Sequence, residues 1–73
     1  MRLRKVVSIV SDKDGWIEID SLQDAKKLAK QNIKNNIRTS IYVDYYETDE
    51  NIEPVKGYAF FTNDDCTHLY KRP

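Results

Sequence analysis

The spacing of apolar residues changes along the chain and marks its predicted elements. Residues 4–10 are rich in β-branched side chains, which is typical of a strand. Residues 12–15, Asp-Lys-Asp-Gly, predict a turn, because Gly15 accepts a positive φ at no steric cost. Residues 16–20 alternate apolar and acidic side chains, the period of a half-buried strand. This first part of the chain therefore predicts a β-hairpin.

A helical period follows the hairpin. Ser21 and Asp24 form a capping-box-like pair, whose side chains satisfy free backbone N–H groups at the start of a helix. Asn35 and Asn36 mark its predicted end, because asparagine tolerates the left-handed backbone conformation that terminates helices. At 100° per residue the apolar residues share one stripe, which consists of Leu22, Ala25, Ala29, Ile33 and Ile37.

Further strands are predicted after the helix. Residues 39–47 are rich in β-forming residues and alternate, and residues 55–62 form the next strand after a polar loop that contains Pro54. Residues 63–65 predict a turn, and residues 66–70 either a short edge strand or a loose tail. The expected fold is one α+β domain over residues 1–73, with one helix packed on a mostly antiparallel sheet. The order is strand-strand-helix-strand-strand, with room for a short fifth strand.

Alternation along the later strands predicts which sheet face the helix covers. In the strand over residues 39–47, one face carries Ile41, Val43 and Tyr45, and the other carries Tyr42, Asp44 and Tyr46. In the strand over residues 55–62, one face carries Val55, Gly57, Ala59 and Phe61, and the other carries Lys56, Tyr58 and Phe60. Asp44 and Lys56 do not fit easily in a core without partners. The predicted open face therefore groups Tyr42, Tyr46, Tyr58 and Phe60. Two alternatives stay open: the reverse assignment, with Tyr58 and Phe60 in the core, or a cover formed by Trp16, Tyr70 and the C-terminal residues.

Residues 56–63, KGYAFFTN, resemble the signature octapeptide of the RNA recognition motif, K/R-G-F/Y-G/A-F-V-x-F/Y. Residues 56–60 fit it in order, whereas Phe61 replaces Val and Asn63 replaces an aromatic residue. The resemblance implies that Lys56, Tyr58 and Phe60 contact RNA, with bases stacked on the open sheet face. It is confined to this octapeptide, because residues 6–10 lack the aromatic of the family's second signature. We therefore do not assign the chain to that family.

Length and composition argue against an enzyme. Seventy-three residues make a small domain with little room for a deep, supported pocket. Cys66 and His68 are the only cysteine and histidine, and the sequence offers this pair no orienting group and no full set of zinc ligands. The acidic residues near Asp12 and Asp49 lack the spacing of a calcium loop. We expect no catalytic residue, no metal and no cofactor.

Charge is unevenly distributed along the chain. Residues 1–38 carry nine basic and five acidic side chains, and residues 39–73 carry three and seven. The halves either attract each other within the fold or mark a polar partner. On the helix, Lys27, Lys30, Lys34 and Arg38 form a basic stripe opposite the apolar one, which is either a solvated face or a phosphate contact. That stripe would point away from the aromatic sheet face.

The leading hypothesis is a small non-enzymatic binding protein that docks on another macromolecule, with a protein as the favoured target, as an inhibitor or modulator. An acidic segment beside aromatic residues suits a basic partner groove, although it equally fits a solvated hairpin loop. The candidate contact residues are Tyr42, Asp44, Tyr46, Glu47, Asp49, Glu50, Lys56, Tyr58 and Phe60. The alternative is binding of single-stranded nucleic acid, in particular RNA, through KGYAFFTN.

The expected location is the cytoplasm. A single cysteine forms no intramolecular disulfide, and neither a signal peptide nor a membrane-spanning segment is predicted. A homodimer is compatible with so small a core. The abundance of Lys, Asn, Ile, Asp and Tyr often accompanies an AT-rich genome, such as that of a virus or mobile element.

Overall fold

A computed structural model of the chain describes residues 3–47 and 53–72. The elements in chain order are β1 (Leu3–Ser11), β2 (Gly15–Ile19), α1 (Leu22–Lys34), β3 (Thr39–Glu47), β4 (Lys56–Thr62) and β5 (Leu69–Lys71). The five strands form one antiparallel sheet in the order β2-β1-β3-β4-β5, and α1 packs on one of its faces. The predicted α+β fold is confirmed, and the C-terminal residues supply a short fifth strand.

The predicted turn and helix ends are confirmed in their local geometry. Gly15 has a φ of 72°, and the Ser11 hydroxyl accepts a hydrogen bond from the Asp14 N–H at 3.1 Å, which closes the hairpin. The Ser21 hydroxyl accepts from the Asp24 N–H at 3.1 Å and caps α1. Beyond the helix, Asn36 has a φ of 56°, the left-handed conformation that ends it.

The core lies between α1 and the two central strands. Val7 and Ile9 of β1 and Ile41 and Val43 of β3 pack against the fully buried alanines of the helix, Ala25 and Ala29. Because alanine is small, the helix backbone lies close to the sheet. Burial of each such Val or Ile side chain contributes about 1.5–3 kcal/mol to the stability of the fold.

A buried polar contact joins the end of the helix to the start of β3. Asn32 is buried, although the apolar stripe predicted Ile33 and Ile37 at this end. Its Nδ2 donates to Thr39 Oγ1 at 3.0 Å, and the Thr39 hydroxyl donates to the Ile37 carbonyl at 3.1 Å. The Ile37 N–H in turn donates to the Asn32 carbonyl at 2.9 Å. Ile37 therefore belongs to the connection between helix and strand, and not to the helical stripe.

A side-chain amide holds the turn between β4 and β5. The Asn63 Oδ1 accepts from the Thr67 N–H at 2.7 Å and from the His68 N–H at 3.1 Å. Its Nδ2 donates to Thr67 Oγ1 at 2.8 Å. Cys66 is buried in this turn with a φ of 54°. The position at which the octapeptide pattern expects an aromatic is thus a turn position in this fold.

Among the residues that the structure describes, no helix has the length and hydrophobicity needed to cross a bilayer.

Asn32→Ala tests the polar contact at the end of the helix. We expect it to lower the free energy of unfolding by about 1–3 kcal/mol, because a buried hydrogen bond is lost and the Thr39 hydroxyl loses its donor. Urea denaturation followed by circular dichroism measures this. Gln31→Ala, an exposed neighbour on the same helix, is the control and should stay close to wild type. Equal stability of the two variants would contradict the account.

Candidate functional site

The register between β3 and β4 decides which side chains share a face of the sheet. Residues directly opposite one another in antiparallel strands project to the same side. On the side that faces α1, the opposed pairs are Ile41 with Phe60, Val43 with Tyr58, and Tyr45 with Lys56.

The predicted open face is therefore half right. Tyr42 and Tyr46 lie on the open face, away from α1, as the alternation of β3 predicts. The assignment of Tyr58 and Phe60 to that face is wrong, because both lie on the helix side, where Phe60 packs against the core. The reverse assignment is observed for the faces of β4, but only Phe60 packs against the core, whereas Tyr58 is exposed. Gly57, Ala59 and Phe61 are on the open face, and Val55 precedes the strand.

Lys56 can lie on the helix side because it is outside the core. It is exposed, and Tyr58 keeps 42% of its surface accessible. The Lys56 Nζ lies 4.8 Å from the centre of the Tyr45 ring, and the Lys71 Nζ lies 4.4 Å from that of Tyr58. These contacts between a cation and a ring keep each ammonium group in water while its stem covers the aromatic surface.

A row of aromatic rings crosses the open face from β2 to β5. Trp16 stacks on Tyr42 with the ring centres 5.5 Å apart and the planes at 11°. Tyr42 meets Phe61 edge-to-face at 6.0 Å, and Phe61 meets Tyr70 at 6.2 Å. Trp16 remains 62% exposed and Tyr70 46%. We call these four side chains the aromatic row.

Two arginines flank the aromatic row. The Arg4 guanidinium lies 5.2 Å from the centre of the Tyr46 ring, and the Arg72 guanidinium lies 5.8 Å from that of Phe61. The open face also carries Glu18, opposite Ser8, and Asp44, opposite Gly57. Two positive and two negative side chains therefore balance across the described strands of this face.

Gly57 leaves a depression beside the aromatic row. A Cβ atom at this position would lie 2.6 Å from Asp44 Oδ1 and 3.3 Å from the Val43 carbonyl oxygen, so only glycine fits without movement of Asp44. The depression has a volume of about 540 Å³. Its lining consists of Tyr42, Asp44, Gly57, Tyr58, Ala59, Phe61, Lys71 and Arg72.

The predicted basic stripe of the helix needs revision. Arg38 lies beyond α1, which ends at Lys34. Lys30 and Lys34 line a groove next to β4 and β5 together with Lys26, whose Nζ lies 5.1 Å from the centre of the Phe60 ring. Basic helix residues and an aromatic residue of KGYAFFTN therefore share one groove on the helix side, although the sequence predicted them on separate surfaces.

The acidic candidates are only partly described. Asp44 lies on the open face, and Glu47 ends β3 opposite Leu3. Asp49 and Glu50 lie outside the described residues. The structure therefore groups Tyr42, Asp44 and Tyr46 on one side of the sheet, and Lys56, Tyr58 and Phe60 on the other.

Cys66 and His68, the remaining candidates for catalysis or metal binding, differ in their exposure to solvent. Cys66 is buried, whereas His68 is exposed and its Nδ1 lies 3.4 Å from Thr67 Oγ1. Within residues 3–47 and 53–72, no three His, Cys, Asp or Glu side chains lie close enough to hold a metal ion.

Sequence reasoning named Trp16 and Tyr70 only as an alternative cover of this face, and it missed Phe61, Arg4 and Arg72. A signal for Trp16 was present, because it alternates with Ile17 and Ile19 and so shares a face with Glu18. Phe61 and Tyr70 had no such signal, since their side depends on the register of β4.

Comparison of the chain with protein-family models, with curated proteins and with solved structures finds no match.

The stacking of Trp16 on Tyr42 is directly observable, because Trp16 is the only tryptophan of the chain. Tyr42→Ala removes the ring that covers one side of the indole, so we expect a red-shifted emission and stronger quenching by acrylamide. Tyr58→Ala, on the helix side of the sheet, is the matched control and should leave the emission unchanged. An emission that Tyr42→Ala leaves unchanged would contradict the stacking of Trp16 on Tyr42.

Proposed function

We propose that this protein is a small non-enzymatic binding protein that docks on another protein through its open sheet face. The observation that carries the proposal is the aromatic row, which spans the sheet from β2 to β5 without a covering element among the described residues. It acts as an inhibitor or modulator, because a chain of this size exerts its effect by occupying a surface that its partner needs.

Exposed aromatic surface supports a docking role. A monomer seldom leaves large apolar side chains grouped in water without a use for them, since their burial on binding is favourable. Tryptophan, tyrosine and arginine are also the residues that most often dominate the energy of protein interfaces. Trp16, Tyr42 and Tyr70 supply rigid rings, and Arg72 and Arg4 supply planar donors beside them. The depression at Gly57 offers a partner side chain a place to insert.

The charge of the open face favours a protein over a nucleic acid at this surface. Binding of a phosphate backbone depends on a clear excess of basic groups. Here Arg4 and Arg72 are balanced by Glu18 and Asp44. A partner protein can complement such a mixed pattern residue by residue, which also confers specificity.

The acidic segment, which contains Glu47, Asp49 and Glu50, steers a basic partner toward the protein by electrostatic attraction. Complementary charges accelerate the encounter of two proteins much more than they strengthen the final complex. This segment directly follows β3 in the sequence, and β3 carries Tyr42 and Tyr46 on the open face. Its target is therefore a protein with a basic groove, such as a site that binds nucleic acid.

We also propose that the protein works in the reducing environment of the cytoplasm, since the buried Cys66 is the only cysteine of the chain.

Replacement of the two stacked rings tests the docking face. The double variant Trp16→Ala/Tyr42→Ala should weaken partner binding by at least about 30-fold, the effect of losing one interface hot spot. Affinity capture from a lysate, followed by titration of the captured protein, measures this. Leu3→Ala, an exposed apolar residue on the helix side of β1, is the control. A partner that binds the double variant as tightly as wild type would remove the open face from the proposal.

Charge reversal tests the acidic segment separately. The triple variant Glu47→Lys/Asp49→Lys/Glu50→Lys should slow association about tenfold or more at low salt and change dissociation little. Surface plasmon resonance at low and high salt separates the two rates. An unchanged association rate at low salt would contradict the steering role of the acidic segment. It would not bear on the docking role of the aromatic row.

A further inference from the structure

A second groove lies on the helix side of the sheet, between α1 and the β4–β5 edge. It has a volume of about 680 Å³. Lys26, Lys30 and Lys34 line it from the helix, and Lys71, His68 and Phe60 line it from the strands and their turn. We call it the lysine groove. The aromatic row belongs to the opposite face of the sheet, and Lys71, at the β5 edge, lines both this groove and the depression at Gly57.

Positive charge is concentrated in the lysine groove. Four lysines border it, and none of the described residues that line it is acidic, whereas the whole chain has a formal net charge of zero. The three helix lysines recur at every fourth residue, which places one cation about every 6 Å along the helix axis. A ligand that fits this line of cations is an extended polyanion with regularly spaced negative groups.

The lining between the cations is apolar and partly aromatic. Phe60 is half-buried, and Leu69 and Ile33 add aliphatic surface around it. The Lys26 Nζ lies over the Phe60 ring, 5.1 Å from its centre, so a ligand that stacks on this ring face displaces the ammonium group and keeps it close by. A flat ring that carries a nearby negative charge satisfies both features at once.

We infer that the lysine groove binds single-stranded nucleic acid, with phosphates along the helix lysines and a base against Phe60. The phosphates match the row of helix lysines, the bases match the apolar lining that includes Phe60, and stacking on an aromatic side chain is tolerant of sequence. An acidic peptide matches the cations but supplies no ring for Phe60. A duplex keeps its bases paired and stacked inside, so it presents no free base to the groove.

This site differs from the one that the octapeptide resemblance implies. That resemblance places bases on the open sheet face, on Lys56, Tyr58 and Phe60 together. In this fold only Phe60 of these three lines the lysine groove, and its partners are helix lysines. The sequence predicted the basic helix side chains and the aromatic residues on separate surfaces, which one ligand does not reach together. In the lysine groove, the basic helix side chains and an aromatic ring are accessible to one ligand.

The test is the fluorescence anisotropy of a labelled oligothymidylate and a labelled oligouridylate of about 15 nucleotides, titrated with the full chain. Lys26→Gln/Lys30→Gln should weaken binding about tenfold or more at about 150 mM salt and flatten its salt dependence. Lys13→Gln/Lys27→Gln removes the same charge from outside the groove lining and is the matched control. Phe60→Leu keeps an apolar side chain in the core and should weaken binding roughly 5- to 100-fold by loss of stacking.

Other outcomes would overturn the inference. No binding by the wild-type chain overturns the inference, and so does an equal loss in the control double variant. Polyglutamate of similar length that displaces the oligonucleotide as well as unlabelled oligonucleotide does would indicate an acidic peptide ligand. Trp16→Ala should leave oligonucleotide affinity unchanged, and a loss there would move the site to the open face. Because Trp16 carries the protein-docking proposal, failure of one proposal is distinguishable from failure of the other.

Discussion

The packing of α1 against the two central strands is the constraint on which the rest of the structure depends. Ala25 and Ala29 bring the helix close to Val7, Ile9, Ile41 and Val43, and so decide which side of β1 and β3 is inside. Alternation then directs the other side chains of both strands away from α1, where Ser8 is buried and the rest are partly or fully exposed. The register of β2 on β1 and of β4 on β3 then decides which side chains of β2 and β4 lie on the helix side. The open aromatic face and the lysine groove both follow from the side of the sheet on which α1 packs.

Local signals were sufficient to predict the elements of the fold. The Asp-Lys-Asp-Gly turn, the Ser21 cap and the left-handed Asn36 act through bonds close in sequence, so the residues themselves indicate them. The faces of β3 were also predictable, because Ile41 and Val43 alternate with polar and aromatic residues. Burial of Asn32 was not, since its partner Thr39 comes from the next element and a polar residue gives no apolar signal.

The faces of β4 show where sequence reasoning ends. Both sets of side chains in this strand contain aromatic residues, so composition does not choose between them. The presence of Lys56 argued against the helix side, but that reasoning assumed that the helix covers the whole strand. Lys56 and Tyr58 are exposed, so a lysine there costs nothing in desolvation. The choice follows from the opposition of Ile41 and Phe60, a long-range contact that no local pattern encodes. The aromatic row and the lysine groove both depend on this pairing of Ile41 with Phe60.

The most direct test of this account is a nuclear Overhauser spectrum of the isolated protein that assigns both phenylalanine rings. The account predicts cross-peaks from the Phe61 ring to the rings of Tyr42 and Tyr70, and from the Phe60 ring to the Lys26 side chain. Cross-peaks from the Phe60 ring to Tyr42, with the Phe61 ring close to the helix, would contradict it. In that case the register of β4 would be shifted by one residue, and neither binding surface would exist as described.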